Sequence, residues 1–164
     1  MNINTRIFLI GLMGSGKTFW GEKIARLLGW KFIDLDSYIE EREKKSIPEI
    51  FERFGENHFR NLETKYLHEL GSLNKIVVAA GGGTPCFNNN MEWMNQSGET
   101  YFLKISPETA AGRLKNQIST RPLLRGKNHE ELILFLTKQL KEREQYYRMA
   151  KHIVDGEKLD DEKG

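Results

Sequence analysis

Residues 11–18 read "GLMGSGKT", and this stretch decides the fold of the chain. It matches the pattern G-x-x-x-x-G-K-[ST] and lies between an apolar run at residues 6–10 and a helical pattern at residues 16–28. Its glycines let the backbone wrap so that successive N–H groups point inward, and the start of a helix adds partial positive charge. The sequence therefore predicts a phosphate-binding loop, and a chance glycine-rich turn is the less favoured interpretation.

Five residues of this loop are predicted to bind a nucleoside triphosphate. Gly14, Ser15 and Gly16 supply backbone N–H groups to the phosphates. Lys17 can reach the β- and γ-phosphates, which makes it a candidate catalytic residue, and the Thr18 hydroxyl can bind Mg²⁺. We therefore expect a nucleoside triphosphate as one substrate and Mg²⁺ as the metal.

Length and composition restrict the class of protein. A chain of 164 residues with 38% hydrophobic residues predicts a single domain over residues 1–164. The one cysteine, Cys86, excludes an internal disulfide and suits a reducing compartment. A net charge of +2 does not indicate nucleic acid or membrane binding, and no apolar run reaches the roughly 18 residues of a membrane span. We expect a cytoplasmic monomer.

Short apolar runs alternate with helical patterns along the chain, which predicts a parallel sheet covered by helices on both faces. The predicted strands are 6–10, 31–35, 75–80, 100–105 and 152–154, and the predicted helical segments are 16–28, 37–70, a helix capped by Ser106, and 130–150. Pro48 and Gly55 should divide the long segment 37–70 into three helices. Residues 116–129 are predicted to form a polar loop, and the tail 155–164 should be frayed or only partly ordered, without a closing helix.

Two carboxylates follow the second predicted strand. Asp34 and Asp36 are two residues apart, so on a strand both side chains would project to one face. That face overlooks the phosphate site, because ligands of open α/β sheets bind at the carboxyl ends of the strands. One carboxylate could steady Mg²⁺ while the other holds or deprotonates an acceptor hydroxyl. The alternative is that Asp36 only caps the next helix.

The remaining sequence does not support two other classes of phosphate-loop protein, the GTPases and the motor ATPases. A GTPase would need Asn-Lys-x-Asp, but Asn74-Lys75 is followed by Ile and Val. A motor ATPase would normally end its third strand with acidic residues, whereas this strand ends in Ala79-Ala80 and three glycines, Gly81, Gly82 and Gly83. A glycine triplet often forms a flexible joint, but here it directly follows a predicted buried strand.

An ordered set of motifs resembles the shikimate kinase family over residues 6 to 150. The set consists of "GLMGSGKT" at 11–18, "FIDLD" at 32–36, "GExxFRxxE" at 55–63, "GGG" at 81–83, "RPLL" at 121–124 and "ER" at 142–143 before Tyr147. The resemblance implies a three-layer α/β fold with a parallel five-stranded sheet in the order 2-3-1-4-5, a core over 6–154 and a mobile lid at 116–129. It also implies ATP-dependent phosphorylation of the shikimate 3-hydroxyl by direct in-line, Mg²⁺-assisted transfer, with no nucleic acid or membrane partner.

The resemblance also implies roles for single residues, and the helical region 37–70 is its acceptor-binding part. Arg60 and Arg143 correspond to the arginines that bind the shikimate carboxylate, and Asp36 to the residue that binds the hydroxyls. Residues 81–83 would form the floor of that site, where the absence of Cβ atoms lets backbone N–H groups approach shikimate. An ordinary surface ion pair for Arg60 and a solvated position for Arg143 are the alternatives. Glu63, three residues after Arg60, could hold the guanidinium in place.

The nucleotide side is assigned in the same way. Asp34 corresponds to the Mg²⁺ partner alongside Thr18, Arg121 to a lid arginine that neutralises the γ-phosphate during catalysis, and Arg113 to an adenine-stacking residue. The alternatives are a solvated basic loop for Arg121 and an ordinary helix-surface position for Arg113. Phe19 departs from the family, which usually has a small hydroxyl residue there, so only its backbone N–H is predicted to bind ATP. The rival functions are a gluconate or nucleoside-monophosphate kinase and a non-catalytic nucleotide sensor.

Overall fold

A parallel sheet of five strands forms the centre of the protein, for which a computed structural model describes residues 5–115, 124 and 126–161. The strand order is β2-β3-β1-β4-β5, which confirms the predicted order. The strands are β1 (Arg6–Ile10), β2 (Lys31–Asp34), β3 (Ile76–Ala79), β4 (Glu99–Lys104) and β5 (His152–Asp155). All the strand pairings are parallel.

Helices connect the strands and cover the sheet. They are α1 (Lys17–Leu28), α2 (Leu35–Glu43), α3 (Ile47–Phe54), α4 (Glu56–Glu69), α5 (Asn90–Ser97), α6 (Pro107–Leu114), α7 (His129–Tyr147) and α8 (Gly156–Asp161). The division of 37–70 into three helices is confirmed, with Pro48 in the first turn of α3 and Gly55 at its end. Ser106 caps α6 as predicted, since its side chain accepts the N–H of Thr109. None of the helices described is long and apolar enough to cross a membrane.

Hydrophobic packing on both faces of the sheet produces three layers. The side chains of Phe8, Ile10 and Val78 belong to a large buried cluster on one face, which also contains residues of α2, α3, α4 and α5. Leu9 and Val77 point the other way and pack with Ala25 of α1. Because successive strand residues alternate between faces, a strand buried on both sides is apolar along most of its length.

The register of the central strands brings the predicted site residues to one edge. Ala79 at the end of β3 pairs with Asp34 on β2 and with Leu9 on β1. The phosphate loop follows β1, and the glycine triplet 81–83 follows β3. Three segments that are far apart in sequence therefore leave the sheet side by side, at its carboxyl edge.

Four local predictions need correction. β2 ends at Asp34 rather than residue 35, so Asp36 lies in the first turn of α2 and not on a strand. The expectation that the tail lacks a closing helix is wrong, because Gly156–Asp161 form α8. Helix α5 was not predicted, because its start is an asparagine-rich segment typical of loops. Within the predicted loop 116–129, His129 already belongs to α7.

Candidate active site

The phosphate loop forms one wall of a cavity of about 480 Å³. The lining residues are Met13, Gly14, Ser15, Gly16, Lys17, Thr18, Phe19, Glu22, Asp34, Asp36, Ala79, Ala80, Gly81, Gly82 and Arg113. Gly14 and Gly16 have φ of 82° and 96°, in the left-handed region where glycine avoids the Cβ strain. The loop therefore adopts a conformation that its glycines permit.

The side chains of Lys17 and Thr18 are held at the edge of this cavity. The Lys17 ammonium donates to the Gly11 carbonyl, and a second carbonyl, that of Leu12, lies 3.4 Å away. The Thr18 hydroxyl donates to Oδ2 of Asp34 over 3.4 Å. The Lys17 ammonium therefore lies beside the phosphate loop. The Thr18 hydroxyl of α1 lies next to the carboxylate of Asp34, which ends β2.

The two aspartates take different positions, which corrects the expectation that they share one strand face. Asp34 is the N-cap of α2, because its Oδ1 accepts the N–H of Ser37 at 3.1 Å. The alternative in which Asp36 caps this helix is therefore wrong. Asp36 instead lines the cavity from the first turn of α2, opposite the phosphate loop.

The environment of Asp36 disfavours its charged form. Burial raises the pKa of its carboxyl, and the charges of Asp34 and Glu63 raise it further, although Lys17 lowers it. The resulting pKa is about 6. A carboxylate with a pKa near the operating pH can both accept a hydrogen bond from an acceptor hydroxyl and take up its proton.

The glycine triplet is a point of close contact between helices, which excludes its interpretation as a flexible joint. A Cβ on Gly81 would lie 3.0 Å from Oδ1 of Asp36, and one on Gly82 would lie 2.9 Å from Nη1 of Arg143. A Cβ on Gly83 would lie 2.8 Å from Nη2 of Arg60. These three side chains come from α2, α7 and α4. One ionisable side chain from each of the three helices therefore lies against the triplet.

Arg60 and Glu63 form a pair that is shielded from solvent, unlike a surface ion pair. Nη1 of Arg60 lies 3.0 Å from Oε1 of Glu63, whose side chain is 1% exposed. The other carboxylate oxygen of Glu63 accepts the Thr84 hydroxyl at 2.7 Å. The guanidinium also lies over the Phe87 ring, 4.1 Å from its centroid. Sequence reasoning missed Thr84 and Phe87, which follow the glycine triplet without a recognisable motif.

Arg143 is partly buried rather than solvated, and Tyr147 lies one turn after it on α7. The buried Tyr147 hydroxyl donates to the carbonyl of Gly82, so it fixes the middle of the triplet. Burial raises the pKa of the nearby Cys86 thiol to about 11, although Arg143 and Arg60 lower it. The thiol is therefore protonated at neutral pH and is not activated as a nucleophile.

Two residues on the nucleotide side also line the cavity. Nη1 of Arg113 donates to the Gly14 carbonyl over 3.0 Å, so α6 contacts the phosphate loop directly. Phe19 is 49% exposed, and its ring meets that of Trp20 edge-on with 5.2 Å between centroids. Arg121 and most of the predicted lid lie outside the described residues.

Comparison with known proteins identifies the family. The family model described as shikimate kinase matches residues 13–163. The chain belongs to the shikimate kinase family. A shikimate kinase from Phocaeicola vulgatus is 46% identical to this kinase over 97% of the present chain and 91% of its own length.

Solved structures of shikimate kinases share its fold. The crystal structure of shikimate kinase from Bacteroides thetaiotaomicron has a TM-score of 0.90 and 45% identity, covering 93% of this chain and 86% of its own. Shikimate kinase from Acinetobacter baumannii in complex with shikimate has a TM-score of 0.84 and 36% identity, covering 97% and 90%. Family membership assigns ATP-dependent phosphorylation of shikimate to this kinase and sets aside the rival functions suggested by the sequence.

Proposed function

We propose that this kinase transfers the γ-phosphate of ATP directly, in line, to the 3-hydroxyl of shikimate, with Mg²⁺ as the metal. One observation carries this proposal: the side chains of Asp36, Arg143 and Arg60 approach three consecutive glycines beside the phosphate-loop cavity. The arrangement supplies two cations for the carboxylate of shikimate and a carboxylate for its hydroxyls. The phosphate loop lies next to them.

The carboxylate of shikimate is proposed to bind between Arg60 and Arg143. A guanidinium offers a planar fork of donors that matches a carboxylate, and each charged hydrogen bond contributes about 1.5–3 kcal/mol. Both guanidinium groups face the floor formed by residues 82–83. The Arg60 guanidinium is held by Glu63, so one of the two cations is already oriented before shikimate binds.

Asp36 is proposed to orient the acceptor hydroxyl and to receive its proton as the phosphoryl group is transferred. Its carboxyl group lines the same cavity as Lys17. Phosphoryl transfer depends mainly on positioning and on neutralising charge. Lys17 would bind the transferred phosphate, while Asp36 aligns the oxygen that attacks it.

Thr18 and Asp34 fit a magnesium site. They present a hydroxyl and a carboxylate oxygen that lie 3.4 Å apart, and magnesium prefers oxygen ligands, retains several waters and binds phosphates. Mg²⁺ held there together with ATP would supply positive charge that neutralises the β- and γ-phosphates. The cap on α2 keeps the Asp34 carboxylate facing Thr18.

The remaining expectations concern the lid and the organisation of the chain. We propose that Arg121 neutralises the γ-phosphate from a lid over residues 116–129, whose closure excludes water. We further propose a single kinase domain over residues 1–164, with its acceptor-binding helices in 37–70, that works as a monomer in the cytoplasm. Sedimentation and cell fractionation test the last two points.

The position of transfer is tested by incubating the purified kinase with ATP, MgCl₂ and shikimate and analysing the product by NMR. Coupling between phosphorus and the proton on carbon 3 is expected, whereas coupling at another carbon would contradict the proposal. Gluconate and AMP serve as control acceptors and should give no ADP release.

The in-line mechanism and the metal are tested separately. With ATP made chiral at the γ-phosphate, the configuration at phosphorus should be inverted in the product, and retention would exclude a single in-line step. Excess EDTA should abolish turnover and MgCl₂ should restore it.

A further inference from the structure

The C-terminal helix α8 is joined to the start of α6 through one carboxylate. Oε1 of Glu157 accepts the Ser106 hydroxyl at 2.9 Å, the Ser106 N–H at 3.4 Å and the Thr109 hydroxyl. A carboxylate at the start of a helix is also favoured by the partial positive charge there. Glu157 therefore completes the cap of α6 from a segment 48 residues further along the chain.

Backbone packing at Gly156 strengthens this junction. A Cβ on this glycine would lie 2.6 Å from Cγ2 of Ile105 and 3.1 Å from the Lys104 carbonyl oxygen. The first residue of α8 is thus in direct contact with the connection between β4 and α6. Gly156 leaves no room for a Cβ beside this connection, and the next residue, Glu157, is hydrogen-bonded to Ser106 and Thr109, so α8 and the start of α6 are directly joined.

The other end of α6 supports the phosphate loop. A Cβ on Gly14 would lie 3.0 Å from the carbonyl oxygen of Ala110 and 3.1 Å from Cγ of Leu114, so the loop rests on α6. Arg113 adds its 3.0 Å hydrogen bond to the Gly14 carbonyl, and its guanidinium lines the cavity. The position of α6 consequently sets both the shape of the loop and the location of Arg113.

We propose that Glu157 is a positioning residue for ATP, which fixes α6 so that the phosphate loop and Arg113 are aligned for the nucleotide. Glu157 acts through α6 and does not touch the substrate. Its charge also interacts favourably with the Arg113 guanidinium. In the proposed function shikimate binds to groups on α2, α4 and α7. Helix α6 packs against Leu132 and Leu136 of α7, more than one turn before Arg143, so the effect of Glu157 should fall mainly on the nucleotide. The inference rests on ATP binding at the phosphate loop.

The test compares Glu157→Ala with the wild-type kinase and with Glu108→Ala, which removes an exposed carboxylate from the same first turn of α6. Glu157→Ala should raise the KM for ATP and the Kd for ADP about threefold to tenfold, the effect of losing a hydrogen-bonded contact. The KM for shikimate should stay within about twofold. Thr109→Val, which removes one donor and leaves the charge, should shift the same constants by a smaller factor.

Parallel increases in both KM values would overturn the proposal, because they would indicate a general structural role. Unchanged constants in Glu157→Ala, or an equal change in Glu108→Ala, would overturn it as well. If Glu157→Ala fails to fold, Thr109→Val tests the proposal in its place: the KM for ATP should rise while the KM for shikimate stays unchanged. Wild-type turnover with shikimate, measured alongside, separates a failure of this inference from a failure of the proposed function.

Discussion

Nη1 of Arg60 lies 3.0 Å from Oε1 of Glu63, and the two side chains are 13% and 1% exposed. The second oxygen of the Glu63 carboxylate is occupied by the Thr84 hydroxyl. Arg60 also has a weaker partner, Glu56, whose carboxylate lies 3.6 Å from Nε and is 56% exposed. One arginine therefore has a buried and an exposed acidic neighbour on the same helix, and their contributions can be compared directly.

Glu63→Ala should weaken both shikimate binding and the fold. Removing one partner of a buried ion pair costs about 3–5 kcal/mol, because the other charge loses its compensation. The KM for shikimate should rise with little change in the KM for ATP, and urea denaturation should show the loss of stability. Glu56→Ala is the matched control, since an exposed pair contributes about 0.2–1 kcal/mol. Equal effects of the two substitutions would contradict the role assigned to the buried pair.

The parts of the structure that the sequence predicts correctly depend on local conformation. The phosphate loop is predictable because its glycines, its lysine and the flanking strand and helix are contiguous in the chain. Asp36 was expected on a strand, but β2 ends at Asp34, which caps α2 by accepting a hydrogen bond from the N–H of Ser37. Such a bond has no signature in the hydrophobic pattern from which the strand was predicted.

Contacts between distant segments were beyond the reach of pattern reasoning. Tyr147 and Gly82 are 65 residues apart, yet the tyrosine hydroxyl holds the glycine carbonyl. The position of Arg143 in a charged run resembles a solvated helix face, and only the packing of α7 against residues 81–83 reveals otherwise. The roles of Gly82 and Arg143 were predicted from the resemblance to a known family, and the Tyr147 contact was not predicted at all. Spacing within one helix does not determine which surface the helix contacts.

Asp36→Asn should abolish phosphoryl transfer while nucleotide binding stays largely intact. An amide cannot take up the proton of the acceptor hydroxyl, and loss of such a group typically lowers the rate by about 10²–10⁴-fold. Calorimetry with ADP and a coupled assay of ADP release measure the two properties separately. Glu41→Gln, an exposed change on the same helix, is the control. A similar loss of affinity and of rate in Asp36→Asn would argue against an acceptor-side role.

The raised pKa of Asp36 predicts that the same substitution stabilises the ligand-free protein at neutral pH. With a pKa of about 6 in the folded protein and 3.8 as its ordinary value, the native state binds more protons between these two values. Stability from this group is therefore greatest at low pH and falls as the pH rises towards 6. At neutral pH the ionised Asp36 therefore destabilises the folded state, and Asp36→Asn removes this charge.

Urea denaturation in EDTA at several pH values checks this sign. The free energy of unfolding of Asp36→Asn should exceed that of the wild type at pH 7.5, and the difference should shrink as the pH falls through 6 towards 4. A difference that is constant with pH would mean that the substitution acts through packing. A difference that grows on acidification would show that the pKa of Asp36 is lowered in the folded state.

Alanine substitutions in the glycine triplet should have graded effects on shikimate binding. A Cβ at Gly83 would lie 2.8 to 3.1 Å from three atoms of the Arg60 guanidinium, which Glu63 and Phe87 hold in place, so this arginine cannot easily retreat. A Cβ at Gly82 meets a single nitrogen of Arg143, at 2.9 Å.

Gly83→Ala should therefore raise the KM for shikimate more than Gly82→Ala does, by up to about 10- to 150-fold if one charged hydrogen bond is lost. The KM for ATP should change little in both variants. Gly112→Ala is a suitable control, since a Cβ there meets nothing within 4 Å. A normal shikimate KM in both triplet variants would refute the role of residues 81–83 as the floor of the acceptor site. The reverse order would show that Arg143, rather than Arg60, is the more rigidly held of the two arginines.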